Sequence, residues 1–429
     1  MSFFIIIIYN IILVPLWLVT KIAGLFNAKI RATLQGRLGL FEQLERQIQQ
    51  IPDNAQRLWI HASSMGEYEQ AVPLVKELLK RNPEAWIMFT LFSPSGLKHV
   101  KETIPRTVLS YLPFDLLRNV NRFLDLVQPS VHVLIRHDVW PNYQWGLQKR
   151  AIPSILVDAS ISDKRLKGTK LFRSLFRAVY KSFTAVCAVS NEQAERLHLI
   201  FPRAEQIHVC GDTRYDRVRD RAMDTSKIEH VIKTGLFKKE RCLVVGSSWP
   251  EDEAVIFPAI AKALREFKDF TLIVAPHELT PEHLRSIEKF ISSQGVDLVH
   301  WTRFEREIKN SSRVLLVDTI GVLANLYALG SIAFVGGAFG MGVHSVLEPA
   351  AHGLWISFGP KHTNSHEATD MAASVSVAIS SAEEFESFLM KALSNPVKTA
   401  EQGKMTLNTI SDNFGASSKT ADIIEKYIK

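Results

Sequence analysis

The chain has 429 residues, 46% of them apolar and 22% charged, with a formal net charge of +7. Such a length favours two domains over one core, the apolar fraction excludes a disordered chain, and the basic excess suits an anionic partner without choosing among nucleic acid, membrane surface and acidic substrate. Three cysteines, Cys187, Cys210 and Cys242, lie far apart; they offer neither a disulfide framework nor a metal-ligand spacing, and they suit a reducing compartment.

The first segment, MSFFIIIIYNIILVPLWLVT, carries no charged side chain before Lys21. Roughly 20 apolar residues cross a bilayer as a helix, so residues 1–24 are expected to form a single-pass membrane anchor. Asn10 and Pro15 are tolerated in such a helix although they weaken it. A secretory signal would need a basic start and a small-residue cleavage site, and neither is clear here. Lys21, Lys29, Arg31 and Arg37 follow the apolar run, which leaves the rest of the chain in the cytoplasm. A buried helix of the first domain is the alternative reading.

Beyond the anchor, short apolar runs alternate with amphipathic stretches, the signature of βαβ units and a parallel sheet. In the first half RLWIHA (57–62), AWIMFT (85–90), VHVLI (131–135), PSILVDA (153–159) and AVCAVS (185–190) read as strands, with helices over 66–81, 116–127 and 170–183. The second half repeats the pattern with RCLVVGSS (241–248), FTLIVAP (270–276), RVLLVD (313–318), SIAFVGG (331–337) and LWISFG (354–359). The polar stretch 217–240 reads as the hinge. The expected architecture is α/β, two Rossmann-like domains facing a cleft. Ligands of such sheets bind at the carboxyl ends of the strands.

Four stretches at strand ends can carry chemistry. In WIHASSMGEYEQ (59–70) the strand ends at His61 and a helix begins near Gly66, where the absent side chain admits a close ligand. Ser64 and Glu67 stand in the S-x-x-E spacing of a capping box, in which the carboxylate serves the helix's own amides. The same carboxylate, at a strand's carboxyl end, can act as a general base, and spacing alone leaves both readings open.

In FVGGAFGMGVHSVLEPAAHG (334–353) a strand runs into a glycine-rich turn, and a helix is expected from about Ser345. Glycines before a helix N-terminus can offer amides to a phosphate. The spacing is neither the dinucleotide fingerprint nor a P-loop. His344 ends the turn, and Glu348, one turn into the helix, is placed to bond ribose hydroxyls; an ordinary turn with a surface carboxylate is the alternative. Ser247 and Ser248 of VGSSWPEDE and His277 of VAPHELTPEH can also bond an anion, or Ser248 and Thr280 can simply cap helices. The segment 163–183 carries an apolar stripe (Phe172, Leu175, Phe176, Val179, Phe183) and a basic one (Lys170, Arg173, Arg177, Lys181), which fits a solvated amphipathic helix or a surface for phosphorylated lipid. There is no H-E-x-x-H, Cys-x-x-Cys, G-x-S-x-G or D-x-D motif, and no nucleic-acid module.

Taken in order, these stretches resemble the 3-deoxy-D-manno-octulosonic acid (Kdo) transferases. The resemblance covers nearly the whole chain: the anchor and RATLQGRLG, WIHASSMGEYEQAVPLV, FSPSG, YLPFD, HDVWPN, VDASIS, AVSNEQAERL and GDTRYDR, then VDTIGVLANLYALGSIAFVGG, HSVLEPAAHG and FGP. It implies a GT-B glycosyltransferase at the cytoplasmic face of the inner membrane, transferring Kdo with inversion from CMP-Kdo to a tetraacylated, phosphorylated glucosamine disaccharide, the lipid A precursor. It implies no metal and no cofactor, in keeping with the missing D-x-D, and no nucleic-acid partner. Residues 1–24 would be the anchor, 25–218 the acceptor-binding domain, 219–410 the donor-binding domain and 411–429 a helix returning to the first domain. Glu67 would be the base. Ser63, Ser64, Gly66, Ser95 and Asp138 would face the acceptor, and Ser247, Ser248, His277, Gly340, Gly342, His344, Ser345 and Glu348 the donor.

Three positions depart from the family pattern. Gly-Gly-His-Asn reads GVHS at 342–345, Pro-Arg-His reads PHE at 276–278, and the acidic residue before Trp-Pro-Asn is Asp138 in DVWPN. These departures bear on contacts to the donor's carboxylate rather than on the reaction class. Another enzyme of the same fold, using a nucleotide-diphosphate sugar as transferase or epimerase, and a non-catalytic membrane scaffold are the alternatives.

Overall fold

The structure is a computed structural model that describes residues 2–93, 96–97, 100, 104–162, 170–201 and 203–428. The chain divides into two compact units, Met1–Arg217 with Gly415–Lys429, and Val218–Phe414. The boundary falls inside the helix Thr213–Met223, at the start of the polar stretch 217–240.

The first unit is built on a parallel sheet of seven strands: β1 (Arg57–Ala62), β2 (Trp86–Leu91), β3 (Thr107–Tyr111), β4 (Val131–Ile135), β5 (Ser154–Ala159), β6 (Ala185–Ala188) and β7 (Ile207–Val209). Their spatial order is β3-β2-β1-β4-β5-β6-β7. Central strands such as β4 and β5 are buried at every position, because helices cover both faces and each side chain, up or down, meets apolar neighbours. Trp59 on β1 is almost fully buried beside Phe123 and Tyr143, and its indole N–H donates to Thr90 Oγ1 at 2.8 Å. Edge strands β3 and β7 escaped the sequence reading; each is short and lacks a run of large apolar residues.

The second unit repeats the plan with β8 (Cys242–Ser248), β9 (Thr271–Pro276), β10 (Leu298–His300), β11 (Val314–Leu316), β12 (Ile332–Val335), β13 (Trp355–Phe358) and β14 (Val377–Ala378), ordered β10-β11-β9-β8-β12-β13-β14. The two Rossmann-like sheets expected from the sequence are thus present. In each, the strand order reverses beside the first strand, between β1 and β4 and between β8 and β12. Those two switch points are where doubly wound sheets open a crevice for ligands.

Of the amphipathic segment 163–183, residues 163–169 lie outside the described residues, and Lys170–Tyr180 is helical. Of its apolar stripe Val179 is buried, as is Phe183 just beyond the helix, and half-buried Phe176 stacks on Tyr180 with ring centroids 4.7 Å apart. Arg177 donates to the Leu199 carbonyl at 3.1 Å, so this member of the basic stripe serves the fold.

The chain's last helix, Ala416–Glu425, belongs to the first unit, where Ala421, Ile423 and Ile424 join the core under the helix Met65–Arg81. Fully buried Asp216 fastens its start: one carboxylate oxygen accepts from the Gly415 amide and the other from the Ser417 amide, both at 2.6 Å. Asp216→Ala would leave these amides unpaired and is expected to lower stability by about 3 kcal/mol, read as a lower urea midpoint for the transition of this unit.

Candidate active site

At the β1/β4 switch point of the first unit the chain leaves β1 through Ser63 and Ser64 and enters the helix Met65–Arg81. Ser64 is the N-cap and accepts from the Glu67 amide at 3.4 Å. Glu67 Oε2 accepts from the Ser63 amide at 2.5 Å. The capping box therefore forms, centred on Oε2 and the Ser63 amide, and the Ser64 amide also bonds the carboxylate. Gly66, in the same first turn, is exposed.

From β4 comes Asp138, whose Oδ2 accepts from His61 Nε2 at 3.0 Å and from Trp140 Nε1 at 2.9 Å. His61 is buried, and its Nδ1 lies 2.9 Å from Thr90 Oγ1 and 3.1 Å from the Thr90 carbonyl. Trp59 N–H donates to Thr90 Oγ1 and His61 Nε2–H to Asp138, while His61 Nδ1 accepts from the Thr90 hydroxyl when the ring is neutral and donates to the Thr90 carbonyl when it is charged. Burial alone would raise the Asp138 carboxyl, but hydrogen bonds from His61, Trp140 and Ser63 outweigh it and hold the group below the usual range. Glu67 moves the other way: burial pushes it up, the Ser63 amide offsets part of that, and the nearby Asp138 charge adds to it. Two neighbouring carboxylates are thereby driven apart, one kept ionised and one made the better proton acceptor.

Arg37, noted in sequence only as a positive charge after the apolar run, locks the floor of this site. Its guanidinium donates to the Leu112 and Phe92 carbonyls at 2.7 and 2.9 Å and lies over the Phe92 and Phe114 rings at 4.6 and 4.7 Å. Phe92 in turn stacks on Trp140, ring centroids 4.9 Å apart.

At the β8/β12 switch point of the second unit, β8 ends in Ser247, held at φ 55°, and Ser248. Gly336 crosses this turn so closely that a Cβ there would lie 2.3 Å from the Ser247 carbonyl oxygen. The glycine loop then turns at Gly337 (φ 95°) and Gly342 (φ 137°). Asp252 organises it: Oδ2 accepts from the Gly337 amide at 2.7 Å and the Trp249 amide at 3.0 Å, and Oδ1 from the Phe339 amide at 3.2 Å. Burial raises the Asp252 carboxyl and these amides partly offset the rise.

Three rings stack beside the loop: Trp249 on His277 at 4.7 Å and His277 on His344 at 4.3 Å, while Trp249 Nε1–H donates to His344 Nε2 at 3.1 Å. Accepting at Nε2 places the proton of a neutral His344 on Nδ1, and burial, with His277 beside it, keeps the ring below its ordinary range.

Glu348 stands in the first turn of a helix of only five residues, Leu347–Ala351, which starts two residues later than the sequence suggested. Its carboxyl is raised by burial, and Arg221 lies 3.6 Å away.

The residues singled out by sequence thus fall into two groups. Ser63, Ser64, Gly66, Glu67 and Asp138 meet at the β1/β4 switch point; Ser95 lies outside the described residues. Ser247, His277, Gly340, Gly342, His344 and exposed Ser345 gather around the glycine loop at the other switch point. Ser248 points inward instead: it is fully buried, and its hydroxyl donates to Glu253 at 2.8 Å. It does not cap the following helix, whose N-cap amide, that of Trp249, is served by Asp252. Thr280 does cap its helix, accepting from the His283 amide at 3.3 Å. Sequence reading missed Trp249, Asp252 and Arg221. For Asp252 a signal existed, an acid at the third position of a helix opening with Pro250, which is a helix-start pattern.

Pairs of doubly wound sheets in one chain recur in solved structures. A UDP-GlcNAc 2-epimerase from Neisseria meningitidis aligns over 86% of this chain and 100% of its own, with a TM-score of 0.61 at 13% identity, a likeness of fold. The chain is a glycosyltransferase of the GT-B architecture.

Within that class its resemblance is to the Kdo transferases, as the motifs indicated. The family model described as 3-deoxy-D-manno-octulosonic-acid transferase (kdotransferase) matches residues 32–217. A 3-deoxy-D-manno-octulosonic acid transferase from Haemophilus influenzae is 27% identical over 383 residues, covering 87% of this chain and 88% of the relative. One from Aquifex aeolicus is 27% identical over 305 residues, covering 71% and 76%.

Because Asp252 serves three amides at once, Asp252→Ala is expected to destabilise the second unit by about 3 kcal/mol, more than one lost hydrogen bond. Thermal unfolding followed by circular dichroism would register this as a lower midpoint, with Asp252→Asn falling between.

Proposed function

We propose that the chain transfers Kdo from CMP-Kdo to a hydroxyl of the phosphorylated glucosamine disaccharide of the lipid A precursor, at the cytoplasmic face of the inner membrane, in lipopolysaccharide synthesis. The observation that carries this reading is the carboxylate of Glu67. Its Oε2 is fixed by the Ser63 amide, at a switch point inside the segment 32–217 that matches the Kdo transferase family.

In the proposed reaction Glu67 Oε1 takes the proton of the acceptor hydroxyl. The oxygen attacks the donor's anomeric carbon, the bond from that carbon to the phosphate oxygen breaks, and CMP leaves. The first unit holds the acceptor, with Ser63, Ser64, Gly66, Ser95 and Asp138 on that side. The second unit holds the donor through Ser247, His277, Gly340, Gly342, His344 and Ser345, with Glu348 on the ribose. Ser248 acts through its inward bond to Glu253, shaping the turn that carries Ser247. Asp138 stays ionised under its three hydrogen bonds, so it raises the basicity of Glu67 and does not compete for the proton.

Two measurements test this. Purified protein incubated with CMP-Kdo and lipid A precursor should yield, by mass spectrometry, product heavier by one or more Kdo units; turnover of UDP-sugars with none of CMP-Kdo would overturn the reading. Glu67→Gln should lower kcat by roughly a factor of 10² or more while calorimetric CMP binding is retained. The pH profile follows from the direction of the Glu67 shift. The base must be ionised, and its carboxyl titrates above 4.5 in the folded protein, so kcat/KM should fall as pH drops through that raised value. Asp138→Asn removes the charge that helps raise it, so the acid limb should move to lower pH.

A further inference from the structure

The first helix, α1 (Ser2–Phe26), includes a stretch, Phe4–Phe26, long and apolar enough to cross a membrane, with a mean hydropathy of 2.2. Its fastening to the first unit is unlike that of a free membrane span. Near one end Tyr9 O–H donates to Asp115 Oδ2 at 2.8 Å, the amides of Asn10 and Asn142 exchange two hydrogen bonds of 2.9 Å, and the Tyr9 ring meets Trp145 edge-on at 5.7 Å. Asp115 is itself buried and accepts from the Asn142 and Tyr143 amides, so α1 is tied to a fixed part of the unit.

Near its other end Gly24 lies against Ile30 and Leu34 of α2 (Ala28–Gln35), and Arg31 donates to the Gly24 and Leu25 carbonyls at 3.0 and 2.5 Å. Two residues beyond Leu34, Gly36 lies against the Tyr111 ring, and Arg37 is bound to Leu112 and Phe92. The two fastening points are 15 residues apart, about 22 Å along a helix. Positions 9, 10, 13, 17, 20, 23 and 24 are the more covered ones along this length, a helical stripe that faces the protein.

The opposite stripe is apolar throughout and open: Phe4, Ile11, Ile12, Val19, Ile22 and Phe26 are each at least half exposed. A helix held lengthwise by a folded unit cannot also thread a hydrocarbon layer about 30 Å thick, since only about 10 Å of it precedes Tyr9.

We infer that α1 does not span the bilayer but lies in the plane of one leaflet, docked along the first unit by Tyr9 and Asn10, with its open apolar stripe in the acyl-chain boundary. This inference rests on the membrane association proposed above and replaces the single crossing with an in-plane keel. Two features commit the surface to lipid. The stripe is apolar along its whole length, and cations flank it: Lys29 is exposed, and Lys21 lies 3.8 Å over the Trp17 ring, positions suited to anionic headgroups. Tyr9 and Asn10, polar side chains that a crossing helix would leave in hydrocarbon, are instead bonded to the protein.

The test uses the full chain bound to vesicles of phosphatidylethanolamine and phosphatidylglycerol, its three native cysteines being buried. A fluorophore at Ile12→Cys, midway along α1, should be quenched at least about twofold more by a nitroxide near the headgroup end of the acyl chain than by one near its methyl end, since in-plane helices sit roughly 5–10 Å into the boundary. Ser2→Cys should react with a membrane-impermeant maleimide before detergent is added. Stronger quenching from the bilayer centre, or Ser2→Cys protected until detergent, overturns the in-plane helix alone. Failure of the wild-type chain to float with the vesicles overturns the membrane reading and this inference with it.

Discussion

One hydrogen bond organises the first unit's chemistry, that from the Ser63 amide to Glu67 Oε2. A parallel strand that runs into a helix leaves amides without partners at the join, and buried amides must be paired. Here the partner is a carboxylate from the helix itself. The Ser63 amide fixes Oε2, and with it where Glu67 sits. Structural and chemical uses of one side chain, rivals when only spacing is known, are compatible because an ionised carboxylate has more acceptor sites than the strand-end amides fill.

What surrounds that bond sets its electrostatics. Asp138 spends its charge on His61, Trp140 and Ser63, and His61 is held from behind by Thr90, which also takes the Trp59 indole proton. The polar chain therefore begins in the apolar core and ends at the strand tips. Each member is satisfied by the next, so the low dielectric strengthens the network rather than penalising it. A carboxylate kept ionised next to a carboxylate raised by burial is how a fold made of ordinary residues separates a fixed charge from a proton acceptor.

The sheets were legible in the sequence because a doubly covered parallel strand must be apolar on both faces, and runs such as VHVLI and CLVVG leave few other options. Switch-point loops were legible for a related reason: serine, glycine and histidine interrupt those runs where the strands stop. Edge strands β3, β7, β10 and β14 were not, since a strand half outside the core needs no apolar run. Ser248 shows a second limit. Its neighbour Ser247 takes a left-handed backbone, and the Ser248 hydroxyl turns inward to Glu253. A two-residue motif carries no sign of that rotation. Asp252 shows a third, because its loop partners stand 85 and 87 residues away in the chain.

Asp252 also changes how the glycine loop can meet an anion. Amides of Gly337 and Phe339 are already bonded to its carboxylate, those of Gly340 and Gly342 to the Gly337 carbonyl, and that of His344 to Gly336. The loop is thus a preformed wall rather than an open nest of donors. A phosphate leaving in the proposed reaction would be met mainly by side chains on that wall, the Nδ1–H of a neutral His344 and the hydroxyls of Ser247 and Ser345. Neutral donors fixed before the charge develops need little reorganisation when it appears, which is the requirement for stabilising a leaving group without a metal. The Trp249–His277–His344 stack supplies that fixity, since the indole N–H holds the His344 ring at Nε2 and the two imidazoles lie face to face.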